Sequence, residues 1–327
     1  MFLSDEKLVD IISEYGISQP DITLIRHNEN RTYKVTDRVN LNSYLFRIHQ
    51  PVTKNLEGMQ HRRDGLGCEL QLLKDIVESG VLTAQTPVPN CNGTMISEIR
   101  HEDDTIYCSM LRWIDGRDLT KEDLTQDGFV HELGRETAKL HRFLRTYNRV
   151  ETQFRPKYGE ERIHTMRKQI FSGVEKGLFD LDDYSIVDAL FQLIGARLQA
   201  MADRPEAWGI IHGDLNKSNI LLTPAGCVFI DYSLFGSGYY LYDVAMGALN
   251  SIPENRNRFF EGYFEEEAVS EECLMIVEGF MLMSILGYFA FHMENESIHP
   301  WIKERMPIFC EKHARPFLSG ERIIYHF

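Results

Sequence analysis

The sequence predicts an α+β fold on a two-lobed plan, with an N-terminal antiparallel sheet carrying one main helix and a mostly helical C-terminal lobe. Three observations predict it. Residues 1–113 hold short β-branched and aromatic runs separated by polar turns. One stretch of helical spacing interrupts them. After "DGRDL" the apolar spacing turns helical and stays so, apart from one short hairpin.

A helix is expected over Ser4–Tyr15, with Ser4 as its cap and Leu8, Ile11 and Ile12 as its apolar stripe. "ITLIRH", "RTYKVT" and "SYLFRIH" follow as strands. Between His61 and Ser79, Leu66, Leu70, Leu73 and Val77 are spaced 4, 3 and 4, one face of a helix that Gly80 ends. "TAQTPVP", "GTMISEI" and "TIYCSMLRWI" return to strand character. The lobes divide here, 1–113 and 114–327, with Trp113–Leu119 as the hinge. Val130, Leu133, Thr137, Leu140 and Leu144 mark a helix at spacings of 3, 4, 3 and 4, and Ile186, Leu190, Leu193 and Leu198 mark another. "ILL" and "CVFID", joined by "TPAG", form the hairpin, and helices run on through Phe309. The most apolar stretch, Gly279–Met293, is shorter than the roughly 20 residues of a membrane span and is expected as a buried helix.

Composition narrows the function classes. The chain has 327 residues, and its 35 Lys and Arg against 49 Asp and Glu give a formal charge of −14. Nucleic-acid binding needs a basic footprint, so no nucleic acid is expected as a partner. No two of the six cysteines stand in a metal-ligand spacing, which fits reduced thiols in a cytoplasmic protein. The N-terminus has no signal-peptide pattern and no membrane partner is expected. Oligomeric state leaves no mark in the sequence.

The chemistry concentrates in "IIHGDLNKSNILLTPAGCVFIDYSLFGSGYYLYDVA", Ile210–Ala245. A phosphoryl-transfer site needs a carboxylate to orient and deprotonate an attacking hydroxyl, hard oxygen ligands for Mg²⁺, and cations over the phosphates. Asp214, followed five residues later by Asn219, puts two polar heads on one turn. Asp231 ends the second strand of the hairpin, at the same end as Asn219. Asp214 thus reads as the base, and Asn219 and Asp231 as metal ligands.

The pattern His212-Gly213-Asp214 with Asn219, then Ile230-Asp231-Tyr232, then Asp243 in "YYLYDVA", resembles the aminoglycoside phosphotransferase and choline kinase family, within the protein-kinase-like fold. The resemblance implies ATP or GTP with Mg²⁺ as cofactors. It implies that Arg47 in "YLFRIHQP" is the strand cation on the α- and β-phosphates, where Lys is usual, and that Glu69 is its helix partner. It implies that Leu111, Arg112 and Ile114 lie at the adenine, and that Asn30 and Thr32 serve the phosphate-covering turn. His212 and Asp243 are implied to brace the catalytic loop, and Asn216 and Lys217 to lie near the acceptor or the γ-phosphate or in solvent.

Gly213 stands where a protein kinase has Arg, and only 11 residues separate Asp231 from Asp243. A phosphorylation-controlled activation loop docks on such an Arg and needs more length. The expectation is therefore a small-molecule kinase acting on a hydroxyl acceptor. The alternative is a catalytically silent nucleotide-binding protein of the same fold, suggested by Arg47 alone. The acceptor stays open among aminoglycosides, homoserine, choline, other amino alcohols and sugars. Acidic residues Glu261, Glu265, Glu266, Glu267, Glu294 and Glu296 fit either an aminated acceptor or a solvated face. Aromatics Phe280, Tyr288, Phe289, Phe291 and Trp301 fit either a cation cage or a core.

Overall fold

The structure, a computed structural model, describes residues 5–27, 30–51, 58–101, 104–201, 203–265 and 267–326. The chain forms two units. One comprises Met1–Arg117, Asn148–Arg155 and Val228–Leu234, and the other Asp118–Tyr147, Pro156–Cys227 and Phe235–Phe327. The first unit thus takes in two segments from beyond residue 113, and one of them contains Asp231. The expected α+β architecture is what forms.

In the first unit α1 (Asp5–Ser13) precedes β1 (Pro20–His27), β2 (Arg31–Asp37) and β3 (Ser43–Ile48). Then come α2 (Arg63–Ser79), β4 (Pro87–Val88), β5 (Ser97–His101) and β6 (Asp104–Arg112). Ser4, the expected cap of α1, lies outside the described residues. The sheet runs β1-β2-β3-β6-β4, with β5 also on β6, and every described pairing is antiparallel. "TAQTPVP" shrinks to two strand residues, since neither Pro87 nor Pro89 has an N–H to give a ladder. Val35, Tyr44, Phe46, Ile48, Cys108 and Met110 form one apolar face, packed with Leu8, Ile11 and Ile12 of α1. Strand alternation puts Thr32, Arg47, Ser109 and Leu111 on the other face. Their register lines them up, Thr32 opposite Arg47 and Arg47 opposite Ser109. β1 follows β2 residue for residue as far as Leu24 opposite Tyr33. There the register shifts at a bulge, and Arg26 comes to stand opposite Thr32. On α2, Leu66, Leu70 and Leu73 are buried as their spacing predicts, and Gly80 caps the helix in the left-handed conformation.

After β7 (Arg117–Asp118), the second unit holds α3 (Asp127–Thr146), β8 (Lys157–Tyr158), α4 (Glu160–Glu175), α5 (Leu181–Ala200), β9 (Trp208–Ile211) and β10 (Ile220–Thr223). The chain passes into the first unit within β11 (Gly226–Phe229) and returns for β12 (Gly236–Tyr239). Helices complete it: α6 (Tyr240–Asn250), α7 (Arg256–Phe264), α8 (Glu271–His292), α9 (His299–Phe309) and α10 (Arg315–Leu318). A π turn at Cys310–Ala314 joins the last two, so helical structure outruns the expected end at Phe309. β12 lies between β9, antiparallel, and β8, parallel.

All five stripe residues of α3 are buried. α3 and α7 cross at two glycines. A Cβ on Gly134 would sit 2.1 Å from the Phe259 carbonyl oxygen, and one on Gly262 would sit 2.0 Å from that of His131. On α5 the buried face is Val187, Leu190, Phe191, Ile194 and Leu198, with Ile186 and Leu193 at its margins. α8 is 22 residues long, more than its most apolar stretch suggests. By length and composition it is apolar enough to cross a membrane. Its burial assigns it to the core, with Ile276–Met283 enclosed by the unit. Within it Glu278 is buried and accepts the N–H groups of Ile323 and Ile324 at 2.8 and 3.0 Å and Arg322 Nη1 at 2.9 Å.

Candidate active site

The polar centre of the second unit grows from β9, which delivers His212 and the loop after it. Gly213 has φ of +79°, a conformation that glycine adopts without steric cost. Asp243, in the first turn of α6, is fully buried. Its Oδ2 accepts the His212 N–H at 2.7 Å and its Oδ1 the Gly213 N–H at 2.9 Å. His141 Nε2 reaches the same Oδ2 at 3.1 Å, and His141 Nδ1 lies 2.8 Å from the Tyr263 hydroxyl. With Nε2 donating to the carboxylate, Nδ1 is left to accept the Tyr263 proton, so α3, α6 and α7 share one chain of hydrogen bonds. Sequence reasoning missed His141 and Tyr263. The available signal was a histidine set between stripe residues of α3.

His212 Nδ1 accepts the Asp214 N–H at 3.3 Å, which places any ring proton of the neutral imidazole on Nε2. The Asp214 carboxylate is held by amides: Asn216 Nδ2 donates to Oδ1 and Asn219 Nδ2 to Oδ2, both at 2.7 Å. Asn219, almost fully buried, also donates Nδ2 to the Asp214 carbonyl at 2.9 Å. Both donations fix the amide, so its carbonyl oxygen faces away from Asp214. Asn250 Nδ2 anchors the loop on the Leu215 carbonyl at 2.8 Å. Lys217 is exposed.

In the first unit Arg47 Nη1 and Glu69 Oε1 meet at 2.7 Å, with side-chain exposures of 5% and 1%. Arg47 Nε and Nη2 and Glu69 Oε2 are buried without a hydrogen-bond partner among the described residues. Such a pair is under-satisfied, since a buried guanidinium seeks acceptors for all its donors. The nearby His49 ring bonds the Ser109 hydroxyl at 2.9 Å, and burial, with Arg47 beside it, holds its pKa well below the usual range. Asn30 and Thr32 are buried, and Asn30 Oδ1 has no partner among the described residues. Leu111 is buried opposite Leu45 on the Arg47 face. Arg112 gives its N–H to the Thr86 carbonyl at 2.8 Å, so that group is not free for a ligand. Ile114 is half-buried beyond the end of β6, just after Trp113, whose ring carries Lys34 Nζ at 4.5 Å.

Asp231 follows β11 with φ of +62°, a left-handed conformation that Asp tolerates better than most residues. Its Oδ2 meets Arg26 Nη2 at 2.7 Å, a partner that sequence reasoning missed. Buried Arg155 fixes the turn that follows, donating to the Tyr232 carbonyl at 3.3 Å, to that of Ser233, and to the Gly65 carbonyl of α2 at 2.8 Å. Asp231 belongs to the first unit and Asn219 to the second.

The donor sets fit a metal–nucleotide. The unfilled Arg47 donors are groups that a phosphate chain would engage. The Asn219 carbonyl and the Asp231 carboxylate are hard oxygens of the kind Mg²⁺ takes. The acceptor alternatives separate. Phe280 and Phe289 belong to the core, Phe291 is half-buried, and Tyr288 and Trp301 are partly exposed with rings 5.4 Å apart. Glu261, Glu265 and Glu294 pair with Arg258, Arg142 and Lys176. Glu267 and Glu296 are exposed, and Glu266 lies outside the described residues.

Known proteins are similar to this chain in sequence and in fold. The family model described as phosphotransferase enzyme family matches residues 21–273. The chain is 20% identical to amicoumacin kinase of Bacillus subtilis (strain 168) over 89% of its own length and 86% of that protein's. Its fold is similar to a microcompartment-associated aminopropanol kinase, at a TM-score of 0.76 and 19% identity, covering 97% of this chain and 98% of that one. It is also similar to an amicoumacin kinase in complex with AMP-PNP, Ca²⁺ and Ami, at a TM-score of 0.75 and 15% identity, covering 99% and 96%.

Proposed function

The chain belongs to the phosphotransferase enzyme family, and from that premise we propose that it transfers the γ-phosphoryl group of ATP (or GTP) to a hydroxyl of a small-molecule acceptor. Asp214 is the base. The observation that carries this reading is the grip on its carboxylate: both oxygens accept amide protons from Asn216 and Asn219, so the group is aimed and stays an acceptor. The hydroxyl proton passes to Asp214, the hydroxyl oxygen bonds to the γ-phosphorus, and the bond to the β-bridging oxygen breaks, leaving a nucleoside diphosphate.

Arg47, paired with Glu69, takes the α- and β-phosphate oxygens with the donors it has unfilled. Arg in place of Lys suits that role on physical grounds, because Arg forks to phosphate and is always charged. Asn219 and Asp231 are the Mg²⁺ ligands. The bound cation supplies charge neutralisation along the phosphate chain. Asn30 and Thr32 serve the phosphates from the start of β2. The Leu111 side chain, the Arg112 carbonyl and the Ile114 backbone serve the adenine. His212, with Nδ1 accepting a backbone N–H, and Asp243, with its three donors, hold the loop rather than move protons.

The acceptor class is a hydroxylated metabolite or antibiotic. Amino alcohols lead the panel, since one structural relative is named an aminopropanol kinase. The test is thermal stabilisation by ATP or GTP with and without Mg²⁺, followed by nucleoside-diphosphate release across the panel. Mg²⁺-dependent stabilisation and acceptor-dependent release are expected. An unmoved melting temperature would sink the reading.

A further inference from the structure

The bulge in β1 changes which way one side chain faces. As far as Leu24, β1 pairs with β2 so that Ile22 stands opposite Val35 and Leu24 opposite Tyr33, on the side of the sheet that packs against α1. Strict alternation would keep Arg26 on that apolar side, opposite Arg31. Instead Ile25 is the extra residue, and Arg26 stands opposite Thr32. Thr32 is opposite Arg47, and Arg47 opposite Ser109. Arg26, Thr32 and Arg47 therefore form one cross-strand row on the side where Arg47 meets Glu69.

From there Arg26 reaches Asp231 at 2.7 Å, although 205 residues separate them in the chain. Side-chain exposures of 46% and 22% make this an ion pair of little worth to stability. Bulges characteristically re-aim a side chain beside a site. Here the re-aimed group is a guanidinium standing on a carboxylate suited to a divalent cation. Phosphate oxygens brought to that carboxylate would offer the same fork a stronger, bidentate partner.

We propose that Arg26 is a phosphate-contacting residue of the transfer site, delivered to the nucleotide side of the sheet by the β1 bulge. The inference rests on the kinase reading above. In the ligand-free chain Arg26 neutralises Asp231, and with nucleotide bound it turns to the terminal phosphates.

The experiment compares the full chain with Arg26→Ala and Arg26→Lys by thermal shift in Mg²⁺ with adenosine, AMP, ADP and ATP. Arg26→Ala is expected to weaken apparent ATP affinity about tenfold or more, as expected for the loss of a charge-assisted hydrogen bond, while leaving adenosine unchanged. Arg26→Lys should fall between the two. If Arg26→Ala keeps the wild-type ratio of ATP to adenosine affinity, the inference fails and the kinase reading stands, even where the variant's own melting temperature has dropped. If the wild-type chain is not stabilised by ATP and Mg²⁺ at all, the kinase reading fails and takes the inference with it.

Discussion

The candidate site groups of the two units differ in how fully they are hydrogen-bonded. In the second, Asp243 accepts three donors and Asp214 has an amide on each oxygen. In the first, Arg47 and Glu69 share one hydrogen bond and leave three polar atoms unfilled among the described residues. A network already satisfied is rigid before any ligand arrives, because moving a member breaks bonds that nothing replaces. An under-satisfied pair gains bonds when a ligand comes. On the proposed function the contrast separates two jobs: the second unit would hold the reacting groups still, and the first would wait for phosphate.

The severest test of that contrast is Asp214→Ala. If the second unit holds chemistry alone, turnover should fall by about 10³-fold, within the range of general-base loss, while stabilisation by Mg²⁺-nucleotide persists. Parallel loss of both in a thermal-shift and product assay would erase the division of labour. Arg47→Ala tests the other side. It strands Glu69 as a buried charge, and urea unfolding should register about 3–5 kcal/mol of destabilisation. Arg47→Lys should recover most of that stability yet bind nucleotide more weakly, since it loses the fork. Glu278 sharpens the comparison with the smallest effect. Its carboxylate has three donors, yet burial outweighs them and raises its pKa. A carboxyl raised in the folded state binds its proton more tightly there than in the unfolded chain. Its contribution to stability is thus fullest below about pH 4.3 and declines as pH rises through the higher folded value. Glu278→Gln should flatten that part of the profile of melting temperature against pH.

The sequence made some of this plain and hid the rest for definable reasons. The α3 stripe and the α2 face repeat at helical spacing, so burial of Val130, Leu133, Leu66 and Leu70 could be read directly. Asp214, Asn219, Asp231 and Asp243 fall within thirty residues of one another, and their spacing is itself the signal. His141, Arg155 and Arg26 carry no such mark. They act on groups 102, 78 and 205 residues away, and nothing local distinguishes Arg26 from a solvated edge charge. The bulge that redirects it is a pairing fault between strands, which neither strand's own pattern encodes. The length of α8 was hidden differently, because its first turns are more polar than its apolar centre and only packing unites them.

The crossing of α3 and α7 carries a consequence for sequence change. At Gly134 and Gly262 the main chains touch so closely that the smallest side chain would overlap a neighbouring carbonyl oxygen by about an ångström. No repacking of side chains can relieve a clash with backbone. The two positions therefore have no allowed alphabet beyond glycine while the helices keep this separation. His141 and Tyr263 reach each other from these same two helices, so a mutation of either glycine would be felt at the Asp243 carboxylate without altering any residue that touches it.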